Sequence, residues 1–354
     1  MPEHVTMKAW VMTGVKDLAA DSQPLECIDL PVPEPSTGEI RIRVSVCGVC
    51  HTEMDEIEGR SPPPSYPMVP GHQVVGVVDA KGKGAKRHAP GARVGVAWIY
   101  AACGRCEWCR LGEENLCPDF LATGRDVNGG YAEYMVVPER FAYPLPAVLS
   151  DAQVAPLLCA GAVGYRSLLL TGLANGQALG LTGFGASAHL VLKMVRHRFP
   201  DTPVYVFARS ERERQFALEL GACWAGDTAQ CAPQRLQAII DTTPAWMPVV
   251  EALANLLPGG RLVINAIRKE GADQDRLLHL DYSRHLWMEK EIKSVANVTR
   301  NDVTAFLRLA ARIPLLPEYE VFPFAEANRA LAELKRGEVR GAKVLQVAGS
   351  GAGV

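Results

Sequence analysis

Four of the ten cysteines fall in one run of fifteen residues, Cys103-Gly-Arg-Cys106-Glu-Trp-Cys109-Arg-Leu-Gly-Glu-Glu-Asn-Leu-Cys117, spaced C-x2-C-x2-C-x7-C. Four thiolates this close together, on loop-like sequence, suit one tetrahedral metal with every coordination position filled. Gly104 and Gly112 allow turns tight enough for the sulfurs to converge. The competing readings are a pair of disulfides or four unrelated thiols. Disulfides require an oxidising compartment, of which the sequence gives no sign, and unrelated thiols seldom space so regularly. A structural zinc is the expectation, and a filled shell does no chemistry of its own.

A second stretch suggests a nucleotide. Gly183-Phe-Gly185-Ala-Ser-Ala188 follows an apolar run and opens a helical pattern. In that setting the first glycine makes the turn and the second lets a pyrophosphate reach N–H groups at the helix start. Ala188 is a small residue where helix and strand pack closely. The next strand ends in Ala208, followed by Arg209 and Ser210, where an NAD site usually carries an acid for the adenine ribose hydroxyls. No carboxylate there repels a 2′-phosphate, while a guanidinium and a hydroxyl are able to bind one. Glu211 and Glu213 follow, but they open a helix and suit its N-terminus. The cofactor expected is NAD(P), with NADP(H) favoured.

The elements that must position these stretches fall into two styles. Residues 1 to about 150 read as β-rich, with short alternating or apolar runs (Glu39 to Val46, Val74 to Asp79, Arg93 to Trp98, Ala132 to Val137) between Pro- and Gly-rich turns. Ser150-Asp151 reads as a helix start, and Val154 through Leu170 is long enough for one or two helices. From Gln177 onward strand alternates with helix: strands Gln177 to Thr182, Val204 to Ala208, Ala238 to Thr242 and Leu262 to Ala266, helices to about Arg198, Glu211 to Leu220 and Trp246 to Leu256. That alternation predicts a doubly wound parallel sheet. Helices at Asp302 to Ala311 and Phe324 to Lys335 and a strand at Lys343 to Val347 close the chain.

A chain of 354 residues exceeds one ordinary core, so two domains are expected. With 48% apolar residues and a formal charge of −2, nothing draws it to nucleic acid or an anionic membrane. The start MPEHVTMKAWVMTG lacks a secretory pattern, and no apolar run approaches a transmembrane length. Cytoplasmic residence is the expectation, with no nucleic-acid and no membrane partner.

Three scattered residues have bland readings taken singly: Cys50 in Cys47-Gly-Val-Cys50-His-Thr-Glu, His72 in Val69-Pro-Gly-His72-Gln, and Cys159 in Pro156-Leu-Leu-Cys159-Ala-Gly. Together with the four-cysteine run and the glycine turn, in this order and over essentially the whole chain, they resemble the zinc-dependent medium-chain alcohol dehydrogenases. GVAW before the cysteine run and LLCAG with YRSLL after it look closest to the family's bacterial branch.

The resemblance implies an α/β fold: a doubly wound Rossmann sheet over 161–299, and a β-rich GroES-like catalytic domain over 1–160 and 300–354 carrying a zinc lobe at 103–117. It implies two zinc ions per chain. The catalytic one would be held by Cys50, His72 and Cys159, leaving a fourth position for water or substrate. Metal polarises the alcohol or carbonyl oxygen, and hydride passes between a small alcohol or aldehyde and the nicotinamide. Thr52 matches the hydroxyl that takes the alcohol proton toward the cofactor ribose, His51 a position near the pyrophosphate, and Trp98 either a wall of the alcohol pocket or core packing on its strand. Family members assemble as homodimers or homotetramers.

Departures from the family pattern gather at the same site. Gln73 stands where Glu is common, so it is a poorer transient anionic ligand. Glu53 stands for Asp, keeping a carboxylate to orient the ligating imidazole, and Asp55 for a His that takes the relayed proton. Ala342 replaces an Arg, a cofactor contact that Arg340 or Lys343 would have to supply. No ligand is lost, so an active enzyme is expected, of small alcohols or of a bulkier alcohol or polyol. The alternative from another class is a zinc- and nucleotide-binding redox sensor without turnover, which would have no use for Thr52. Of the other thiols, Cys27, Cys223 and Cys231 have no assigned geometry, and Cys47 reads as a buried structural thiol. His189 reads as a packing or solvent-facing residue.

Overall fold

In the strand Glu39–Val49, Ile40, Ile42, Val44 and Val46 are at most 1% exposed and alternate with Arg41, Arg43 and Ser45, the period of a half-buried strand. From Val46 onward every side chain is buried. The strand thus leaves the surface and carries Cys47 and Cys50 inward. The computed structural model describes residues 5–313, 315–337 and 341–347. They form two units, Met1–Cys159 with Thr299–Val354, and Ala160–Val298.

In the first unit Glu39–Val49 is central. It pairs antiparallel with Val74–Lys81, Tyr134–Pro138 and Ala342–Gln346. The sheet runs Tyr319–Pro323, Ala342–Gln346, Glu39–Val49, Val74–Lys81, Arg93–Val96, Ala142–Pro144. Thr6–Val11 and Glu26–Pro31 form a separate antiparallel pair, and the Trp10 indole donates to the Phe324 carbonyl at 2.8 Å.

The helix start expected at Ser150 is a capping box. Ser150 Oγ accepts the Gln153 N–H at 3.3 Å, and Gln153 Oε1 accepts the Ser150 N–H at 2.8 Å. The apolar stretch after it is two pieces, a 3₁₀ turn Ala155–Leu158 and a helix Ala160–Thr171, with the break at Cys159.

The second unit is the doubly wound sheet that the alternation predicts. Six parallel strands run Trp224–Gly226, Val204–Phe207, Leu179–Thr182, Leu236–Asp241, Leu256–Ile264, Glu291–Ser294. Leu179–Thr182 and Val204–Phe207 are buried at every position, which explains their apolar runs. Tyr205, Phe207, Ile239, Val249, Leu253 and Leu262 belong to one core cluster between sheet and helices. Chain order reverses between Leu179–Thr182 and Leu236–Asp241, so the crevice for a ligand opens beyond their carboxyl ends. Among the described residues no single helix is long and apolar enough to cross a membrane.

Candidate active site

Cys50 ends the central strand in extended conformation and stands at the N-cap of the helix His51–Ile57. His72 enters from the other side, just before Val74–Lys81. Gly71 makes this possible: its φ is +98°, and a Cβ there would lie 2.3 Å from the Tyr131 ring and 2.9 Å from Cys47 Sγ. Cys159 arrives from the break between the two helical pieces, with non-helical φ −123° and ψ −79°. Three unrelated chain endings thus bring the Cys50 and Cys159 sulfurs and a His72 ring nitrogen within 4.8 Å of one another.

The surroundings favour metal donors. A hydrogen bond with Cys159 holds the Cys50 thiol well below its usual value against the cost of burial, and the same contact, aided by burial, pushes Cys159 well up. Burial opposes charge on His72, but the Glu53 carboxylate and Cys50 outweigh it and hold the imidazole well above its usual value. Glu53 Oε2 accepts the Cys50 N–H at 2.8 Å, while Oε1 lies 2.6 Å from His72 Nδ1, an ion-pair contact without hydrogen-bond alignment. With Nδ1 facing Glu53, Nε2 is the nitrogen left for a ligand, and it is buried with no hydrogen-bond partner among the described residues. Zinc bonds of about 2.0 to 2.3 Å put tetrahedral ligand atoms about 3.5 to 3.8 Å apart, a spacing that falls within the 4.8 Å bound of this cluster. Two sulfurs and an imidazole fit zinc and leave one coordination position open.

The other residues of the expected site are placed as follows. Thr52 Oγ1 lies 3.7 Å from Cys50 Sγ and is 9% exposed. His51 is exposed at the first turn of the same helix. Asp55 is buried, with its carboxylate held by Arg60 Nε at 2.8 Å, so it can accept a relayed proton only by weakening an ion pair. Gln73 lays its amide against Gly48, where a Cβ would come within 2.1 Å of Oε1. Lys343 is fully buried, bonded to Glu333 at 2.7 Å and Glu320 at 3.2 Å, and lies over the Phe322 ring, so its ammonium is already engaged. Arg340 lies outside the described residues. Trp98 is 9% exposed, tilted against Phe120 at 5.0 Å between centroids, with the Arg125 guanidinium 5.4 Å from its ring.

The sequence reading passed over Glu56. It lies one helical turn after Glu53, is 1% exposed, and neither oxygen has a hydrogen-bond partner among the described residues. Burial, then the Glu53 carboxylate, pushes its carboxyl well above the usual range. The i, i+3 spacing of two acids beside a ligand was the available signal.

The four-cysteine lobe is a separate cluster. Its sulfurs lie within 4.8 Å of one another, Cys103 Sγ and Cys109 Sγ at 3.9 Å. A disulfide needs about 2.05 Å, whereas a tetrahedral zinc sets sulfurs about 3.8 Å apart, so the lobe fits the metal. The N–H groups of Cys103, Gly104 and Cys106 donate to Cys117, Cys109 and Cys103 sulfurs at 3.3 to 3.4 Å. Backbone N–H groups, that of Arg105 first, lower the Cys103 thiol to about 6. The lobe is anchored by Glu114, 3% exposed, which accepts from Arg300 Nε at 2.7 Å and from the Arg300 N–H at 3.1 Å.

In the second unit Gly183 has φ +76°, and a Cβ there would lie 2.8 Å from Thr242 Oγ1. Gly185 is the N-cap of the helix Ala186–Arg198, with open space where a Cβ would stand, and Ala188 is fully buried. Beyond Val204–Phe207, Ala208 is buried and Arg209 exposed. Ser210 is less free than its sequence suggests. Its hydroxyl caps the next helix, accepting the Glu213 N–H at 3.2 Å and donating to Glu213 Oε2 at 2.9 Å. His189 is fully buried, which settles its place in the packing, with Nδ1 3.0 Å from the Gly185 carbonyl.

Comparison with known proteins follows the same division. Residues 36–147 match the alcohol dehydrogenase GroES-like domain. The chain is 40% identical to the probable alcohol dehydrogenase AdhA of Mycobacterium tuberculosis (strain CDC 1551 / Oshkosh), over 97% of this chain and 98% of the relative. Among solved structures, a cinnamyl alcohol dehydrogenase of Sorghum bicolor (SbCAD4) is similar with a TM-score of 0.82 at 28% identity, covering 98% of this chain and 99% of that one. A structure described as an NAD-dependent alcohol dehydrogenase gives 0.85 at 26% identity, covering 97% and 100%.

Proposed function

The chain belongs to the zinc-dependent medium-chain alcohol dehydrogenases, and from that premise we propose how its own residues perform the family's reaction. The activity is hydride transfer between an alcohol or aldehyde and a nicotinamide cofactor. The observation carrying the assignment is the convergence of Cys50 Sγ, Cys159 Sγ and a His72 nitrogen within 4.8 Å, with Glu53 behind the imidazole. A zinc ion held there supplies Lewis-acid polarisation of the substrate oxygen. Glu53 orients His72, and Thr52, 3.7 Å from Cys50 Sγ, relays the alcohol proton through its hydroxyl. Trp98, which packs against Phe120, serves in this reading as the aromatic wall that limits substrate bulk. The lobe Cys103, Cys106, Cys109 and Cys117 holds a second, structural zinc.

We favour NADP(H), supported by the exposed Arg209 and the lack of a carboxylate on the strand tip. The Ser210 hydroxyl is engaged as a helix cap, so Arg209 bears most of the preference. Cytoplasmic residence and a homodimer or homotetramer complete the proposal. Supporting assembly, Glu291–Ser294 is an edge strand with Ile292 exposed on it and Tyr282 and Trp287 exposed in the segment that precedes it.

The test is an initial-rate panel of alcohols and aldehydes with NAD(H) and NADP(H) in parallel, with Cys50→Ser as control. Turnover lost in Cys50→Ser while cofactor binding persists supports the reading. Activity that survives this change overturns the ligand assignment, and a preference for NAD(H) overturns the reading of the strand tip. Sedimentation at micromolar concentration reads the assembly.

A further inference from the structure

At the floor of the cofactor crevice, where chain order reverses, a complete buried ion pair lies beneath the glycine turn. Asp241 ends the strand Leu236–Asp241 and is fully buried. Its Oδ1 accepts from Thr182 Oγ1 at 2.5 Å and from Thr243 Oγ1 at 2.8 Å. Its Oδ2 is bonded to the ammonium of Lys269, from the loop after Leu256–Ile264. Lys269 also donates to the carbonyls of Thr243 at 2.7 Å and Ala245 at 2.9 Å, so all three of its N–H bonds are used, and its side chain is 7% exposed.

The same loop is laced to the chain after Asp241 at two further points. The Glu270 N–H donates to the Pro244 carbonyl at 2.7 Å, and the Asp273 carboxylate accepts the N–H groups of Trp246 and Met247 at 2.8 to 3.0 Å. Directly above, Gly183 leaves no room for a Cβ against Thr242 and Thr243. A shift of residues 242–245 therefore moves the floor under the phosphate-binding turn.

We propose that Lys269 is a positioning residue for the nicotinamide cofactor, holding residues 243–245 and cancelling the charge of Asp241 beneath the site of the cofactor's anionic pyrophosphate. An isolated buried carboxylate there would repel the diphosphate and leave two carbonyls without donors. The two partners are not equivalent in this role. Removing Lys269 exposes a negative charge to an anionic ligand, while neutralising Asp241 leaves Lys269 on its two carbonyls. A purely structural pair would be damaged alike from either side.

The inference rests on the cofactor occupying this crevice, a reading that fails separately if the wild type binds neither NADH nor NADPH. The experiment measures dissociation constants for NADH and NADPH by nicotinamide fluorescence on the zinc-loaded full chain, for Lys269→Met, Asp241→Asn and the double variant. Expected are a rise of at least about tenfold for Lys269→Met and a change under about threefold for Asp241→Asn. The double variant should lie closer to wild type than Lys269→Met alone, with kcat at saturating cofactor within about twofold throughout. Equal losses in both single variants, or an unchanged dissociation constant in Lys269→Met, overturn the proposal. Should Lys269→Met fail to fold, the double variant, which buries no lone charge, serves in its place. Its dissociation constant must then exceed that of Asp241→Asn by at least about threefold, the part due to lost hold on the Thr243 and Ala245 carbonyls, and equal values in those two variants overturn the proposal.

Discussion

Glu53 stands 2.6 Å behind His72 Nδ1, with both side chains withdrawn from solvent. An acid in that place fixes the ring's orientation and raises the basicity of the opposite nitrogen, and such partners are commonly worth 10- to 100-fold in metal affinity. Glu53→Gln keeps the shape and removes the charge. Zinc affinity at the Cys50 site, read by chelator competition, should fall by about 10- to 100-fold. The four-cysteine site in the same sample should keep its metal. Equal loss from both sites would mean that the substitution merely loosens the fold.

The lobe answers differently to the loss of a ligand. Cys106 is one of four converging sulfurs, and its N–H also bonds Cys103 Sγ at 3.4 Å. Cys106→Ser should remove one of two zinc ions per chain and lower the thermal midpoint, with activity declining only as the protein unfolds. Metal analysis and calorimetry on freshly purified protein check the order of events. A variant of normal stability that keeps both ions would refute the assignment.

Sequence legibility followed the range of the contacts. The lobe and the glycine turn are local, so spacing reveals them. Cys50, His72 and Cys159 are joined only because a strand end, a glycine loop and a helix break meet, and resemblance, not spacing, brought them together. The buried strands Leu179–Thr182 and Val204–Phe207 are visible as apolar runs. Glu291–Ser294 is not, because an edge strand exposed at all four residues carries no pattern. Lys269, between Arg268 and Glu270, carries no sequence signal: its side chain is 7% exposed only because three acceptors from a distant segment receive its ammonium. Ser210 reads as a phosphate ligand, but capping has the prior claim on its hydroxyl.

His189 makes the second unit sensitive to acid. Burial holds its imidazole down at about 4, against an ordinary value near 6.5. Between those values the unfolded chain binds a proton and the folded chain does not, so stability rises with pH. The contribution is full above pH 6.5 and is lost as pH falls toward 4, roughly 3 kcal/mol over the whole window. Urea denaturation at pH 7.5 and 5.0 should show wild type losing about 2 kcal/mol more than His189→Leu between the two conditions. Parallel losses would place the acid sensitivity elsewhere.

Arg209 and Ser210 share the strand tip but should answer differently to substitution. Arg209 is exposed next to the buried Ala208, at the place where an acid would receive the adenine ribose hydroxyls. Arg209→Asp both removes a cation from a 2′-phosphate and supplies the acid that suits free hydroxyls. The ratio of kcat/KM for NADPH over NADH should fall by about 100-fold, corresponding to about 2.7 kcal/mol. Ser210→Ala instead removes a helix cap, so it should lower stability by about 1 kcal/mol and move the ratio much less. If Ser210→Ala shifts the ratio as far as Arg209→Asp does, the hydroxyl leaves Glu213 when cofactor binds, and the cap is a resting arrangement rather than its working one.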